Sequence, residues 1–127
     1  MISAIIFTKN RPLQLNALLE SMHKNCDIFD WIYVQWTGDI KPDFDLGEKY
    51  NLEYRYENFR DMGFHRTLID IIDHIQTPYI AFFVDDDICH RPVYFGELKE
   101  ALKECDIFSL RLGKNITKKV HFEYKGS

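Results

Sequence analysis

Cysteine is scarce in this chain. Its 127 residues hold three, Cys26, Cys89 and Cys105, too few and too scattered for a disulfide framework or a CxxC metal site. Such usage fits a reducing compartment, and a cytoplasmic protein is the simplest expectation. Glycine and proline are sparse too, at six and four, which excludes collagen-like and low-complexity chains. No apolar run approaches the roughly 20 residues of a membrane-spanning helix. The N-terminal stretch from Ile2 to Phe7 is too short even for a signal peptide, and Lys9 and Arg11 follow it instead of preceding it. Positive charge is also lacking. A net charge of −4 argues against a nucleic-acid surface, which needs concentrated Lys and Arg. The basic run from Lys114 to Lys119 reads as a solvated loop. Without secretion, the sequon Asn115-Ile116-Thr117 carries no meaning.

What is present is the material of a packed core. Hydrophobic residues make up 46% of the chain and aromatics 15%, enough for one domain over residues 1–127. Strand and helix signals alternate along it. Ala4 to Phe7 reads as a short buried strand, and Leu15, Leu18, Leu19 and Met22 repeat at helical spacing after Asn10 and Pro12. Trp31 to Gln35 reads as a second strand, Thr37 to Gly47 as a loop, and Leu52 to Tyr56 as a strand nearer a sheet edge. Leu68, Ile71, Ile72 and Ile75 mark a helix that Thr77-Pro78 ends. A strand over residues 79–84, a helix through Leu98, Ala101, Leu102 and Cys105, a strand from Ile107 to Leu112, a turn at Gly113-Lys114-Asn115 and a last strand over Val120–Tyr124 complete the series. Such alternation predicts an α/β fold: three layers, α/β/α, around a mostly parallel sheet.

One junction stands out. Tyr79-Ile80-Ala81-Phe82-Phe83-Val84 runs straight into Asp85-Asp86-Asp87. The apolar run has the character of a strand buried on both faces. Three adjacent carboxylates repel one another and resist desolvation, so packing does not explain them, although one alone would serve as a helix cap before Pro92. At the carboxyl end of a parallel strand, where open α/β sheets bind ligands, they call for a cation, and a hard divalent metal ion fits best.

The strand Ala4–Phe7 followed by Thr8-Lys9-Asn10-Arg11-Pro12 and a leucine-rich helix resembles the opening of family-two glycosyltransferases. The strand over 79–84 with Asp85-Asp86-Asp87 is similar to the DxD motif of the same GT-A superfamily, and Gly63 with the helix over 64–75 is similar to the family's helix before that strand. The resemblance covers roughly residues 2–112 and rests on the order and spacing of these parts. It implies a Rossmann-like GT-A fold, apparently truncated, that binds a nucleotide-diphosphate sugar, with a UDP-sugar the first candidate and an acceptor left unnamed. It implies Mn²⁺ or Mg²⁺, a Lewis acid beside the leaving diphosphate. On this resemblance Asp87 would ligate the metal, Asp85 would contact it through water or reach the ribose, and Asp86 would lie between them. Thr8, Asn10 and Arg11 would wrap base and ribose, with Arg11 reaching phosphate or base. Asp39 or Trp36 would take the place of the family's base-reading Asp, since the second strand here ends in Gln35-Trp36-Thr37-Gly38-Asp39 and not in a D-D-G-S-like stretch.

Arg66, at the start of the second helix, and Arg60 are phosphate-side candidates, against a default of solvated surface. His65 opens the same helix. Cys89 and His90 lie beside the acidic triplet; packing and a helix entrance are their plain readings, a transition-metal site the sharper one. His23, His74 and His121 show no partner spacing. No catalytic base is evident: Asp106 and Glu123 are the late carboxylates, and neither commends itself. The sugar-acceptor half of a GT-A enzyme is missing from the pattern, and Gly126-Ser127 has the look of a fragment's scar. Two rivals remain. A nucleotide-sugar-binding or interaction module that does not turn over fits the lack of a base. A DxD phosphotransferase or phosphatase fits less well, because its acidic motif belongs to the first strand of its fold.

Overall fold

The computed structural model describes residues 1–57, 60 and 63–105. The chain divides into two compact units, Met1–Phe95 and Gly96–Ser127. The first unit contains a sheet of four strands, all parallel: β1 (Ile2–Lys9), β2 (Trp31–Thr37), β3 (Leu52–Tyr56) and β4 (Tyr79–Val84), in the order β3-β2-β1-β4. Helices α1 (Pro12–Asn25), α2 (Leu46–Tyr50) and α3 (Gly63–His74) connect them. In the second unit the described residues are those of α4 (Phe95–Leu102) after its first residue and a short continuation, where Lys103 pairs with Glu100 at 3.0 Å and the Cys105 thiol donates to the Ala101 carbonyl.

Local chemistry accounts for the elements. Pro12 opens α1 with its φ already set for a helix, and His23 and Lys24 lie in the last turn, where a cation favours the helix dipole. Leu15, Leu18, Leu19 and Met22 share one face of α1, and all four are buried. They pack with Ala4, Ile6, Val34 and Trp36 on one side of the sheet. On the other side Ile71 of α3 packs with Ile5 and Tyr33, flanked by Phe7, Leu68, Ile75 and Ile80. The alternation of side chains along β1 and β2 therefore feeds two cores, one under α1 and one under α3. That is the three-layer α/β arrangement the strand–helix alternation predicts. Each fully buried leucine or isoleucine contributes about 1.5–3 kcal/mol relative to exposure.

Two expectations need correction. The strand over 79–84 has its predicted bounds but is not buried on both faces: Phe82 is 56% and Val84 46% exposed. Among the described strands β4 is an edge, and α3 packs mainly against β2 and β3, so burial on both sides falls to β1 and β2. The loop expected over Thr37–Gly47 gives way at Leu46 to α2, a helix of five residues that Asn51 ends in the left-handed conformation (φ 56°). Leu46 and Tyr50 of α2 pack on the α1 core. The strands expected at 107–112 and 120–124 and the turn at 113–115 lie outside the described residues. So do the basic run 114–119, the sequon 115–117, His121 and the carboxylates Asp106 and Glu123.

Candidate functional site

Strand order fixes where a site can form. From β1 the chain moves to β2 and β3 on one side, then crosses to β4 on the other. The carboxyl ends of β1 and β4 thus flank the topological switch point, the place where open α/β sheets take their ligands. Register carries Phe7 opposite Val84, which brings Thr8 beside Asp85 across 77 residues of sequence.

Asp85 is the centre of that meeting. It is 7% exposed. Its Oδ2 accepts the Thr8 hydroxyl at 2.8 Å and the Lys9 backbone N–H at 3.4 Å, while Arg11 Nη1 lies 3.6 Å from Oδ1. Its own N–H donates to the Phe7 carbonyl at 3.1 Å. A buried carboxylate demands such partners, and here the last two residues of β1 and the N-cap of α1 supply them. Arg11 is half exposed, so its guanidinium lies between the buried acid and solvent.

The next two acids differ. Asp86 is exposed. Asp87 closes the turn after β4: its Oδ2 accepts the Val84 N–H at 2.9 Å, and its own N–H donates to the Val84 carbonyl at 3.0 Å. Among the described residues no three His, Cys, Asp or Glu side chains form a ready cage for an ion. The donor set nevertheless suits Mg²⁺ or Mn²⁺, which takes one or two carboxylates and completes its shell with water and phosphate oxygens.

Asn10 locks the loop against its neighbour. Its backbone is left-handed (φ 54°), and its Oδ1 accepts the Ile40 N–H at 2.9 Å. Gly38 also has positive φ, 100°, and a Cβ there would meet Asn10 Oδ1 at 2.2 Å. The close approach of the two loops therefore requires glycine at 38. Asp39, exposed, sits between Gly38 and Ile40 and so stands next to the Asn10 loop. Trp36 does not present a stacking face to solvent; it is 9% exposed and packs on Tyr56 (4.6 Å between ring centroids) and Phe44 (5.8 Å).

Thr8, Asn10, Arg11, Asp39, Asp85, Asp86 and Asp87 thus gather at one end of the sheet. Arg66 lies exposed in the first turn of α3, and no described contact joins it to the carboxylates. His65 and His90 are exposed as well, and Arg60 is exposed outside the helix.

Sequence reading misses a buried polar cluster on the α3 side. Gln35, fully buried, donates through Nε2 to Glu57 Oε1 at 2.9 Å and to the Phe64 carbonyl at 3.1 Å. Among the described residues Gln35 Oε1 and Thr37 Oγ1 are buried without a hydrogen-bond partner. The available signal was a glutamine inside the otherwise apolar strand Trp31–Trp36.

Behind the acidic turn, the chain is tied down to the end of α1. The Cys89 N–H donates to Ser21 Oγ at 2.9 Å, Asn25 Nδ2 donates to the Cys89 carbonyl at 2.6 Å, and the Val93 N–H donates to the Asn25 carbonyl at 2.7 Å. Interaction with the Cys89 thiol, with burial, drives the Cys26 pKa upward. The same interaction, helped by Ser21, draws Cys89 down to about 7 against the opposing effects of burial and Asp87.

No protein-family model and no curated protein matches the chain. Among solved structures it is similar to crystal structures of S. aureus TarS, a glycosyltransferase. One superposes with a TM-score of 0.57 at 19% identity, over 81% of this chain and 19% of TarS. Another, of TarS residues 1–349, gives 0.52 at 21% identity over 81% of this chain and 32% of that one. The chain spans about a fifth to a third of the length of these neighbours. The likeness is one of fold: a parallel sheet with flanking helices in a glycosyltransferase-like arrangement.

Proposed function

We propose that this chain is the donor-binding part of a family-two-like GT-A glycosyltransferase and holds a nucleotide-diphosphate sugar at the carboxyl ends of β1 and β4. The observation that carries this reading is the Thr8–Asp85–Arg11 cluster at the switch point. It places a half-exposed guanidinium beside acidic residues where parallel sheets take nucleotides. The likeness in fold to TarS supports it.

In this reading each residue has a distinct task. Asp87 and Asp85 would hold Mn²⁺ or Mg²⁺, while one oxygen of Asp87 stays with Val84 and one of Asp85 with Thr8 and Lys9. The bound ion supplies a Lewis acid that offsets the charge on the departing nucleoside diphosphate. Arg11 turns from Asp85 to the diphosphate, where its planar fork matches two phosphate oxygens. Asp86 faces solvent between the two ligands. Asn10 and Thr8 keep the loop shaped for base and ribose, and Asp39 reads the base, uracil being the first candidate. Arg66 approaches from α3 as a further phosphate contact.

Calorimetric titration of UDP, GDP and CDP, each with Mn²⁺, Mg²⁺ or chelator, tests the reading. Binding should require the metal and weaken by about tenfold or more in Asp87→Ala, the scale of one lost charge-assisted contact. Absence of metal-dependent binding to any of the three nucleotides, or binding indifferent to Asp87→Ala, overturns it. Release of nucleoside diphosphate from the matching sugar donor then separates a transferase from a module that binds without turnover.

A further inference from the structure

The face of the sheet beneath α3 ends in polar groups that the Thr8–Asp85–Arg11 cluster does not use. Side chains alternate along a strand, so Tyr33, Gln35 and Thr37 of β2 share one face, and register adds Ile5, Phe7 and Lys9 of β1 to it. Ile5 and Tyr33 pack with Ile71, which makes this the face that α3 covers. Gln35 reaches the first turn of the helix, donating to the Phe64 carbonyl at 3.1 Å. Thr37 is the next residue of that row, roughly 7 Å nearer the carboxyl end of the sheet. It is 7% exposed, and its Oγ1 has no hydrogen-bond partner among the described residues. Lys9 pairs with Thr37 across the β1–β2 ladder, and its side chain is exposed and without an ion pair among the described residues. Thr8, one residue earlier, takes the opposite face, where it meets Asp85.

The helix supplies the complement. A crossover helix returns the chain to the amino ends of the strands, so α3 starts at the carboxyl end, where Thr37 and Lys9 stand. It has twelve residues, and its first N–H groups find no partner inside the helix. No acidic residue lies in its first turn, and His65 and Arg66 there are exposed. Glu57, a buried acid at this end, is already turned onto Gln35 at 2.9 Å. A positive helix end, an ammonium and a hydroxyl with an uncommitted proton thus share one end of one face, and all three favour an anion.

We propose that Lys9, Thr37 and the N-terminus of α3 form a phosphoryl-binding site that needs no metal ion. The Thr37 hydroxyl donates to one phosphate oxygen, the Lys9 ammonium pairs with a second from its flexible four-carbon stem, and first-turn N–H groups of α3 donate to a third. Two sources share this chemistry: the diphosphate of a nucleotide, and a phosphate carried by another ligand.

Inorganic phosphate is titrated into the full-length chain by calorimetry, in EDTA and at constant ionic strength. Saturable binding is expected, weakened by about tenfold or more in Lys9→Gln and in Thr37→Val, the scale of one lost charge-assisted hydrogen bond. Lys9→Arg should restore most of it. Lys24→Gln, which removes an exposed cation from α1, should leave it unchanged. Circular dichroism matching the parent keeps loss of the site apart from loss of the fold. No saturable binding in EDTA overturns the proposal, as does binding that Lys9→Gln and Thr37→Val leave intact or that Lys24→Gln weakens equally. A second titration, without EDTA and with UDP and Mn²⁺ present, identifies the source. Phosphate excluded by the nucleotide marks the site as holding the nucleotide's own diphosphate; phosphate bound alongside it marks a second phosphoryl ligand. Because EDTA removes any metal, this site and the metal-dependent donor reading fail separately.

Discussion

At the scale of single residues, the site is a problem of satisfying one buried acid. Asp85 is held by a hydroxyl, a backbone N–H and a guanidinium. The hydroxyl makes the shortest of these contacts, so Thr8 matters more than its small size suggests. Thr8→Val keeps the shape of the side chain but leaves Asp85 Oδ2 with a 3.4 Å amide contact. We expect a loss of roughly 1–2 kcal/mol, the cost of depriving a buried acceptor of its donor. Urea unfolding should show it as a lower midpoint at unchanged slope, and Thr8→Ser should recover most of it. The Thr8–Asp85 pairing was not legible in the sequence, because its partners lie 77 residues apart and only the parallel register of β1 with β4 brings them together. The chemistry of each residue was legible; the bond was not.

At the scale of elements, periodicity gave the helices and strands but not their surroundings. Ile71 and Ile72 both fit the stripe that marks α3, yet Ile71 is fully buried and Ile72 is 39% exposed. The reason is geometric: residues one apart on a helix point about 100° away from each other, so a broad apolar stripe has an inner and an outer edge. Ile71→Ala should destabilise the fold by about 2–5 kcal/mol, as for other emptied core sites. Ile72→Ala should cost less than about 1 kcal/mol. Parallel thermal melts of the two variants check the difference. The same limit applied to β4. Its bounds, Tyr79–Val84, follow from an aromatic and β-branched run that stops at three acids, but a continuous apolar run does not reveal whether the strand is central or at an edge. For α2, five residues are too few for any periodicity to register, and its left-handed terminus at Asn51 is the only local mark it leaves.

For the whole molecule, the order β3-β2-β1-β4 is the decisive quantity, because it sets the switch point and thereby the end of the sheet at which seven of the candidate residues collect. A ligand seated there would touch the ends of two strands and the loops after them, so its binding should brace the entire sheet. If the donor-binding proposal holds, UDP and Mn²⁺ together at about a hundred times the dissociation constant stabilise the fold by about 2.7 kcal/mol through mass action alone. For a domain of this size that shift corresponds to a rise in Tm of several degrees, and neither component alone should match it. Differential scanning fluorimetry with each component and with both provides the check. No described helix is long and apolar enough to cross a membrane.

The amino-acid sequence by itself determined strands β1 to β4 and helices α1, α3 and α4, the parallel α/β class and the identity of the reactive groups. These depend on short-range periodicity, on Gly and Pro at breaks, and on the repulsion that marks three adjacent carboxylates as unusual. Only the tertiary structure decided which groups meet. It gave Asp85 to Thr8 and Arg11, set Gly38 against Asn10, buried Gln35 beside Glu57, and tied the Cys89 backbone to Ser21 and Asn25. Those pairings span many residues of chain and follow from strand order and register. Both are settled by the packing of two cores on opposite faces of one sheet, and no local stretch of sequence encodes them.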